Sequence, residues 1–265
     1  MGILPQDDWV DVPPLDEFSL DNTANSVHGR KNRLLRIDRE NHRFSEIEQL
    51  FRKGWRHRKK NRPRVQLIFK VLWPESMLEP YLAYRSSVQQ TVRAKDMRGN
   101  EQLLFHGTDR ACLLAETRNN VVLCSLQKCS MCSILRTSFE VKRCGSKNAF
   151  KRFGHGIYTT SCSSKADDYT SNLSNEASLR VMLVSRVVVG KPYKRYRNAV
   201  DLIGPPLGYH SIAGEIGWDL NYDETVTYRN ETIRPAYLVV YGEKEESPVT
   251  VKEFISSMFK TPLAS

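Results

Sequence analysis

From residue 100 onward the apolar residues of this chain gather in runs of strand length, and few long helices fit between them. Gln102-Leu103-Leu104-Phe105-His106 is a short apolar run that ends abruptly in the polar trio His106-Gly107-Thr108. Leu179 to Gly190, LRVMLVSRVVVG, reads as a buried strand. Asn221 to Tyr228, NYDETVTY, has alternating character, and Thr232 to Tyr241, TIRPAYLVVY, is a further strand. Parallel strands need helical crossovers between them, whereas antiparallel strands do not. The pattern therefore predicts an α+β domain built on antiparallel strands rather than a doubly wound sheet. The chain carries no GxGxxG and no Walker loop, which argues against a Rossmann or P-loop nucleotide site.

The chain before residue 100 is read from its periods. Residues 1–30 are acidic, proline-bearing and without period, and 1–42 is expected to be a largely disordered tail. Phe44, Ile47, Phe51 and Trp55 fall at helical spacing and predict an amphipathic helix over 43–57. It runs into Arg56–Arg64, RHRKKNRPR, within a basic segment over 52–64. That segment reads as a nuclear-import signal, a nucleic-acid patch or simply a solvated helix end and loop. Val65–Trp73 is a strand ended by Pro74. Tyr81, Tyr84, Val88 and Val92 predict a helix over 80–93, followed by a polar loop over 94–100. Residues 191–211 read as a long loop, and 244–265 as a tail with a short helix near 249–259. There is no internal repeat.

Charge and cysteines bound the rest. A net charge of +10 points to an anionic partner, nucleic acid among them. No apolar run approaches the roughly 20 residues that span a bilayer. MGILPQDDWV lacks the basic and apolar regions of a secretory signal, and Gln6 stands where a myristoylation motif needs Ser or Thr. The expectation is an intracellular protein, nuclear or cytoplasmic, monomeric and without membrane contact. Its six cysteines then read as thiols or metal ligands. Cys112-x11-Cys124-x4-Cys129-x2-Cys132 can supply a structural four-thiolate zinc site. The CxxC end is tight and the other spacings are loose, so Cys144 or His155 is an alternative fourth ligand. Buried or free thiols are the plain alternative.

Phe153 to Tyr169, FGHGIYTTSCSSKADDY, is a glycine-bearing turn into a strand, then the first turn of a helix. Glycine, tyrosine and a helix bearing lysine and tyrosine make an aromatic-walled corner suited to a flat ligand. By itself this is also an ordinary strand–turn–helix. Its company decides otherwise. Leu104-Phe105-His106-Gly107-Thr108, then Phe153-Gly154-His155-Gly156-Ile157-Tyr158 with Ser164-Lys165 and Tyr169, then Pro206-x-Gly-Tyr-His210-Ser211, then Tyr222-Asp223-Glu224-x-Val-x-Tyr228 together resemble the poly(ADP-ribose) polymerase catalytic-domain family. The resemblance covers 43–243. The cysteine-bearing insertion at 109–150 is similar to that of fungal relatives.

The resemblance implies an ADP-ribosyltransferase fold, split antiparallel sheets clasping NAD+, with His106, Tyr158 and Glu224 as the family's catalytic trio. It implies that Glu224 holds the ribose 2′-hydroxyl and stabilises positive charge at the ribose carbon, and that His106 positions the cofactor. Gly107, Thr108, Tyr158, Lys165 and Tyr169 complete the NAD+ contacts, with Lys165 beside Glu224 and Tyr169 stacked on the nicotinamide. Asp223 is the rival carboxylate, facing the other way on one strand, and Glu215 is a weaker one. Two departures matter. Ala166 stands where relatives often place a serine that meets the nicotinamide amide, and HGT replaces HGS. The activity implied is transfer of ADP-ribose to a protein or nucleic-acid acceptor with release of nicotinamide. The alternatives are an NAD+-consuming RNA 2′-phosphotransferase, which needs phosphate-holding arginines absent from these motifs, and a silent ADP-ribose- or nucleic-acid-binding module.

Overall fold

The computed structural model describes residues 33–91, 99–143 and 151–243. The expected tail before residue 33, most of the loop at 94–100, Cys144 and the helix near 249–259 lie outside the described residues. In chain order the elements are β1 (Leu34–Ile37), α1 (His42–Gly54), β2 (Val65–Val71), α2 (Glu75–Thr91), β3 (Glu101–His106) and β4 (Asp109–Arg110). Then come α3 (Ser130–Thr137), β5 (Ile157–Thr159), α4 (Ser163–Asp167), β6 (Ser171–Asn172) and β7 (Arg180–Val188). β8 (Pro192–Arg195), β9 (Ser211–Gly214), β10 (Glu224–Thr227) and β11 (Ile233–Tyr241) complete it.

Among the described residues the strands form a five-stranded antiparallel sheet, β1-β2-β11-β7-β3, and a four-stranded sheet, β5-β10-β9-β8. The second is antiparallel except for β8 against β9. β4 and β6 add a two-residue parallel ladder. The two sheets join where Phe105 and Thr160 exchange backbone hydrogen bonds, N to O, at 2.8 and 3.1 Å. The α+β class follows directly.

β7 and β11 are buried on both faces, so they read as unbroken apolar runs. Along β7, Val181 and Leu183 point into one core and Met182 and Val184 into the other, the period of two that a pleated strand imposes. A register break between Pro235 and Tyr237 puts Ala236 and Tyr237 on the same side. α1 covers that side with Phe44, Ile47 and Phe51. Burial of each such side chain contributes about 1.5–3 kcal/mol. The helix starts where the Asn41 side chain accepts from the Arg43 amide at 2.9 Å. α3, in the cysteine-bearing insertion, covers the opposite side with Met131, Cys132 and Leu135. A third core, Phe153, Ile212, Leu220 and Val226, belongs to the four-stranded sheet.

Four expectations are corrected. β1 lies inside the stretch expected to be a largely disordered tail to residue 42, because Leu34–Ile37 pairs with Ile68–Val71. β8 lies inside the expected loop at 191–211. Pro192-Tyr193-Lys194-Arg195 has no apolar run, and its strand form comes from pairing with β9. α2 begins at Glu75, just after Pro74, and tolerates Pro80 near its start. β10 does not alternate, since all four of its residues are buried.

Candidate active site

A cleft of about 990 Å³ opens where the two sheets meet, and the insertion forms one of its walls through Ile134, Ser138, Phe139 and Glu140. β3 delivers His106 to it. The His106 Nδ1–H donates to the Tyr158 carbonyl at 2.9 Å, and Phe139 meets the ring edge-on at 4.9 Å. These contacts fix the ring plane within the cleft. Gly107 follows because nothing larger fits: a Cβ there would lie 1.8 Å from the Ala166 carbonyl oxygen. The close approach seats α4 directly against the end of β3. Thr108, at the lining, is nearly buried.

Tyr158 presents its ring to the cleft and turns its hydroxyl to its own loop. The hydroxyl accepts from the Phe153 amide and donates to the Gly154 carbonyl, both at 2.8 Å. Gly154 takes φ +70°, and a Cβ there would meet the Leu202 carbonyl at 1.7 Å. The expected helix start is α4, which aims Lys165 inward. The three N–H groups of its ammonium have three acceptors: the Tyr222 and Asp223 carbonyls at 3.1 Å each and Glu224 Oε1 at 2.8 Å. Ala166 lines the cleft at 2 % exposure, and Tyr169 stands half exposed at its rim. Burial raises the Tyr169 pKa, and the charge of Glu224 adds to the shift.

Glu224 and Asp223 point apart. Glu224 is buried, lines the cleft and opens β10. Asp223 turns out of the cleft to the Ser161 amide (2.8 Å), the Ser161 hydroxyl (2.7 Å) and the Arg56 guanidinium (2.7 Å). Glu215 pairs with Lys194 at 3.1 Å and does not line the cleft. The structure thus brings His106, Gly107, Thr108, Tyr158, Lys165, Tyr169 and Glu224 around one cleft.

One residue at this place escaped the sequence reading. Arg152 Nε lies 3.4 Å from Glu224 Oε2, an oxygen with no hydrogen-bond partner among the described residues. The guanidinium is held by Asn198 and by the Asp219 carbonyl at 2.8 Å. Two cations therefore flank Glu224. Arg152 directly precedes Phe153, and its neighbourhood to that motif was the signal available. Arg143 also lines the cleft, so arginines reach it from outside the His106, Tyr158 and Glu224 motifs.

The Sγ atoms of Cys112, Cys124, Cys129 and Cys132 all lie within 4.8 Å of one another. Cys112 is 3.8 Å from Cys129 and 3.6 Å from Cys132. A zinc–sulfur bond of about 2.3 Å puts tetrahedral thiolates about 3.8 Å apart, so the donor set and its spacing fit that ion. The crowding shows in the thiols. Hydrogen bonds from Cys112 and Cys132 hold the Cys129 pKa well down, while the hydrogen bond to Cys129 leads in pushing Cys112 up to about 11. His155, the alternative ligand, is exposed beside Lys151 at 2.9 Å, away from this group. Arg110, fully buried, pins the insertion: it donates to the Leu114 carbonyl at 2.6 Å and pairs with Glu116 at 2.9 Å.

The basic run divides in two. Arg56, His57 and Lys60 turn inward to Asp223, Ser164, Asp167 and Asp168. Arg52, Lys53, Arg58, Lys59 and Arg62 stay exposed, and among the described residues their side chains have no ion-pair partner. No helix of the described residues is long and apolar enough to cross a membrane.

The family model for the poly(ADP-ribose) polymerase catalytic domain matches residues 19–218. The chain belongs to that family, whose fold is the ADP-ribosyltransferase fold and whose activity is NAD+-dependent ADP-ribosyl transfer. The match takes in His106, Tyr158 and Lys165 and ends before Glu224, which reaches the cleft by β10.

Proposed function

We propose that this member of the poly(ADP-ribose) polymerase catalytic-domain family transfers ADP-ribose from NAD+ to a hydroxyl or other nucleophile of a protein or nucleic acid. The observation that carries the reading is Glu224, a buried carboxylate in the cleft with Lys165 at one oxygen and Arg152 near the other. The bond between nicotinamide and ribose breaks with its electron pair leaving on nicotinamide. Positive charge develops at the ribose carbon, and a carboxylate in a site of low dielectric stabilises it. Glu224 would accept a hydrogen bond from the 2′-hydroxyl, and the nucleophile would add to that carbon and lose its proton. NAD+ and acceptor are thus converted to ADP-ribosylated acceptor, nicotinamide and one proton. His106 and Thr108 would hold the adenosine side, with Gly107 meeting the nicotinamide amide. The rings of Tyr158 and Tyr169 would enclose the nicotinamide.

The four thiolates would hold zinc, whose role is to fix the insertion as a wall of the cleft. Four protein ligands leave no open coordination position, so the ion takes no part in transfer. The exposed cations of 52–64 would contact nucleic acid as activator or acceptor.

The test is adenine-labelled NAD+ incubated with the protein, alone and with DNA or RNA. Wild type should move label onto macromolecule and release nicotinamide, and Glu224→Gln should lower the rate by about 10²- to 10³-fold. No label transfer and no nicotinamide from wild type under any condition would overturn the enzyme. Arg152 beside Glu224 gives the 2′-phosphotransferase reading one specific foothold. RNA bearing an internal 2′-phosphate tests it, through loss of that phosphate in an NAD+-dependent reaction.

A further inference from the structure

The turn Trp55–Lys60 lies behind the cleft and does not line it. It nevertheless grips both elements that carry the charged pair inside. The Arg56 and His57 amides donate to Ser164 Oγ at 2.9 and 3.0 Å, one residue before Lys165. The His57 ring stacks on Tyr222 with centroids 4.1 Å apart and planes 28° from parallel. The Arg56 guanidinium donates to Asp223 Oδ1 and to Ser161 Oγ, each at 2.7 Å. Asp223 in turn accepts from the Ser161 amide, and its carbonyl accepts from the Thr160 hydroxyl and from Lys165.

We infer that Arg56 is a positioning residue for Glu224, acting through Asp223. Glu224 is the first residue of a four-residue strand, so its direction depends on the backbone at 222–224. Lys165 reaches that backbone from the cleft side, and Arg56 and His57 reach it from behind. Asp223 is the point where both sides meet. The Arg56–Asp223 pair is itself partly exposed, 38 and 27 % at the side chains, and such pairs add little to global stability. Its effect is local. It fixes the carboxylate that precedes Glu224, and a displacement of about 1 Å at a reacting group can cost 10²-fold in rate. The residue order left Arg56 open between a nucleic-acid or import patch and a solvated helix end and loop; its guanidinium is bound to Asp223 and Ser161.

The kinetic arm rests on the proposed transferase reading, so a second arm stands apart from it. Nicotinamide release is measured for wild type, Arg56→Ala, Arg56→Lys and Asp223→Asn. Hydrogen exchange is followed on peptides covering 157–166 and 220–228. Arg56→Ala should lower kcat by about tenfold with the KM for NAD+ within twofold, since the lost restraint acts on the transition state. Arg56→Lys should recover kcat to within about threefold of wild type. Exchange in both peptides should quicken in Arg56→Ala while the unfolding midpoint holds. A kcat within twofold of wild type, or a fall that Arg56→Lys does not relieve and that tracks a lowered midpoint, overturns the positioning role. If wild type releases no nicotinamide, the transferase reading fails. The exchange arm then decides the inference alone: unchanged exchange in both peptides overturns it.

Discussion

Ala166→Ser is the substitution that most directly tests how NAD+ sits in this cleft. Ala166 lines the cleft at 2 % exposure, at the position where the family resemblance implies a serine hydroxyl against the nicotinamide amide. A neutral hydrogen bond contributes about 0.5–1.5 kcal/mol. The structure argues for the upper part of that range. α4 cannot shift toward β3, because Gly107 already brings the two backbones together, and the Ser163 hydroxyl ties α4 to the Phe51 carbonyl at 2.7 Å. A hydroxyl added at Cβ would therefore be held in place before the substrate arrives. A gain of about 1–1.5 kcal/mol corresponds to about 5- to 12-fold in affinity. The KM for NAD+ should fall by that factor with kcat unchanged, the signature of an interaction made equally in ground and transition states. ADP-ribose, which lacks the nicotinamide, should bind both proteins alike. Serine costs up to about 0.5 kcal/mol in helix propensity, a loss that belongs in the unfolding midpoint and not in KM. Steady-state nicotinamide release and calorimetry with ADP-ribose make the comparison. An unchanged KM, or an equal change in ADP-ribose affinity, would refute the placement of the nicotinamide against α4.

The remaining predictions concern the insertion. Elemental analysis of protein purified without chelator should find about one zinc per chain, and Cys132→Ser should weaken its retention by at least about 100-fold. Chelation should lower the unfolding midpoint of wild type, whereas a protein that carries no zinc and ignores chelators would refute the site. Glu116 supplies a pH dependence. Burial alone would raise its pKa, but hydrogen bonds from the Ser178 hydroxyl and amide and the Leu179 amide, with the charge of Arg110, outweigh burial and hold it below the ordinary 4.5. A carboxyl depressed in the folded state contributes stability that is present above its unfolded pKa and lost as pH falls through the folded one. Thermal unfolding of wild type should therefore weaken below pH 4.5, and Glu116→Gln should flatten the slope in that window.

Much of this was legible in the residue order, for reasons that differ by element. α1 announced itself because one face of it must be apolar to cover a sheet. β2, β7 and β11 did so because strands covered on both faces tolerate few polar side chains. β1 and β8 were not legible. Four-residue edge strands such as Pro192–Arg195 owe their form to the neighbour they pair with and leave no periodic trace. Strand geometry said that only one of Glu224 and Asp223 could face the cleft, and the resemblance selected Glu224. Arg152 was not, since its place depends on where Asn198 and Asp219 happen to lie, far along the chain. The basic run looked uniform as a string of charges. Which of its cations are committed to Asp167, Asp168 and Asp223 is a property of the folded surface alone.

The position of β11 has a consequence for how the chain is made. It is the final strand of the described chain, yet it lies in the middle of the larger sheet, between β2 and β7. Until Tyr241 has been added, β1–β2 and β3–β7 can exist only as two separate pairs, each with an apolar edge open to any other strand. At translation rates of about 5–20 residues per second, β2 waits roughly 10–30 s for its partner. β10, which brings Glu224 to the cleft, directly precedes β11, so the cleft and the larger sheet are completed within the same short stretch of chain. Throughout that interval the nascent chain depends on whatever shields its unpaired edges.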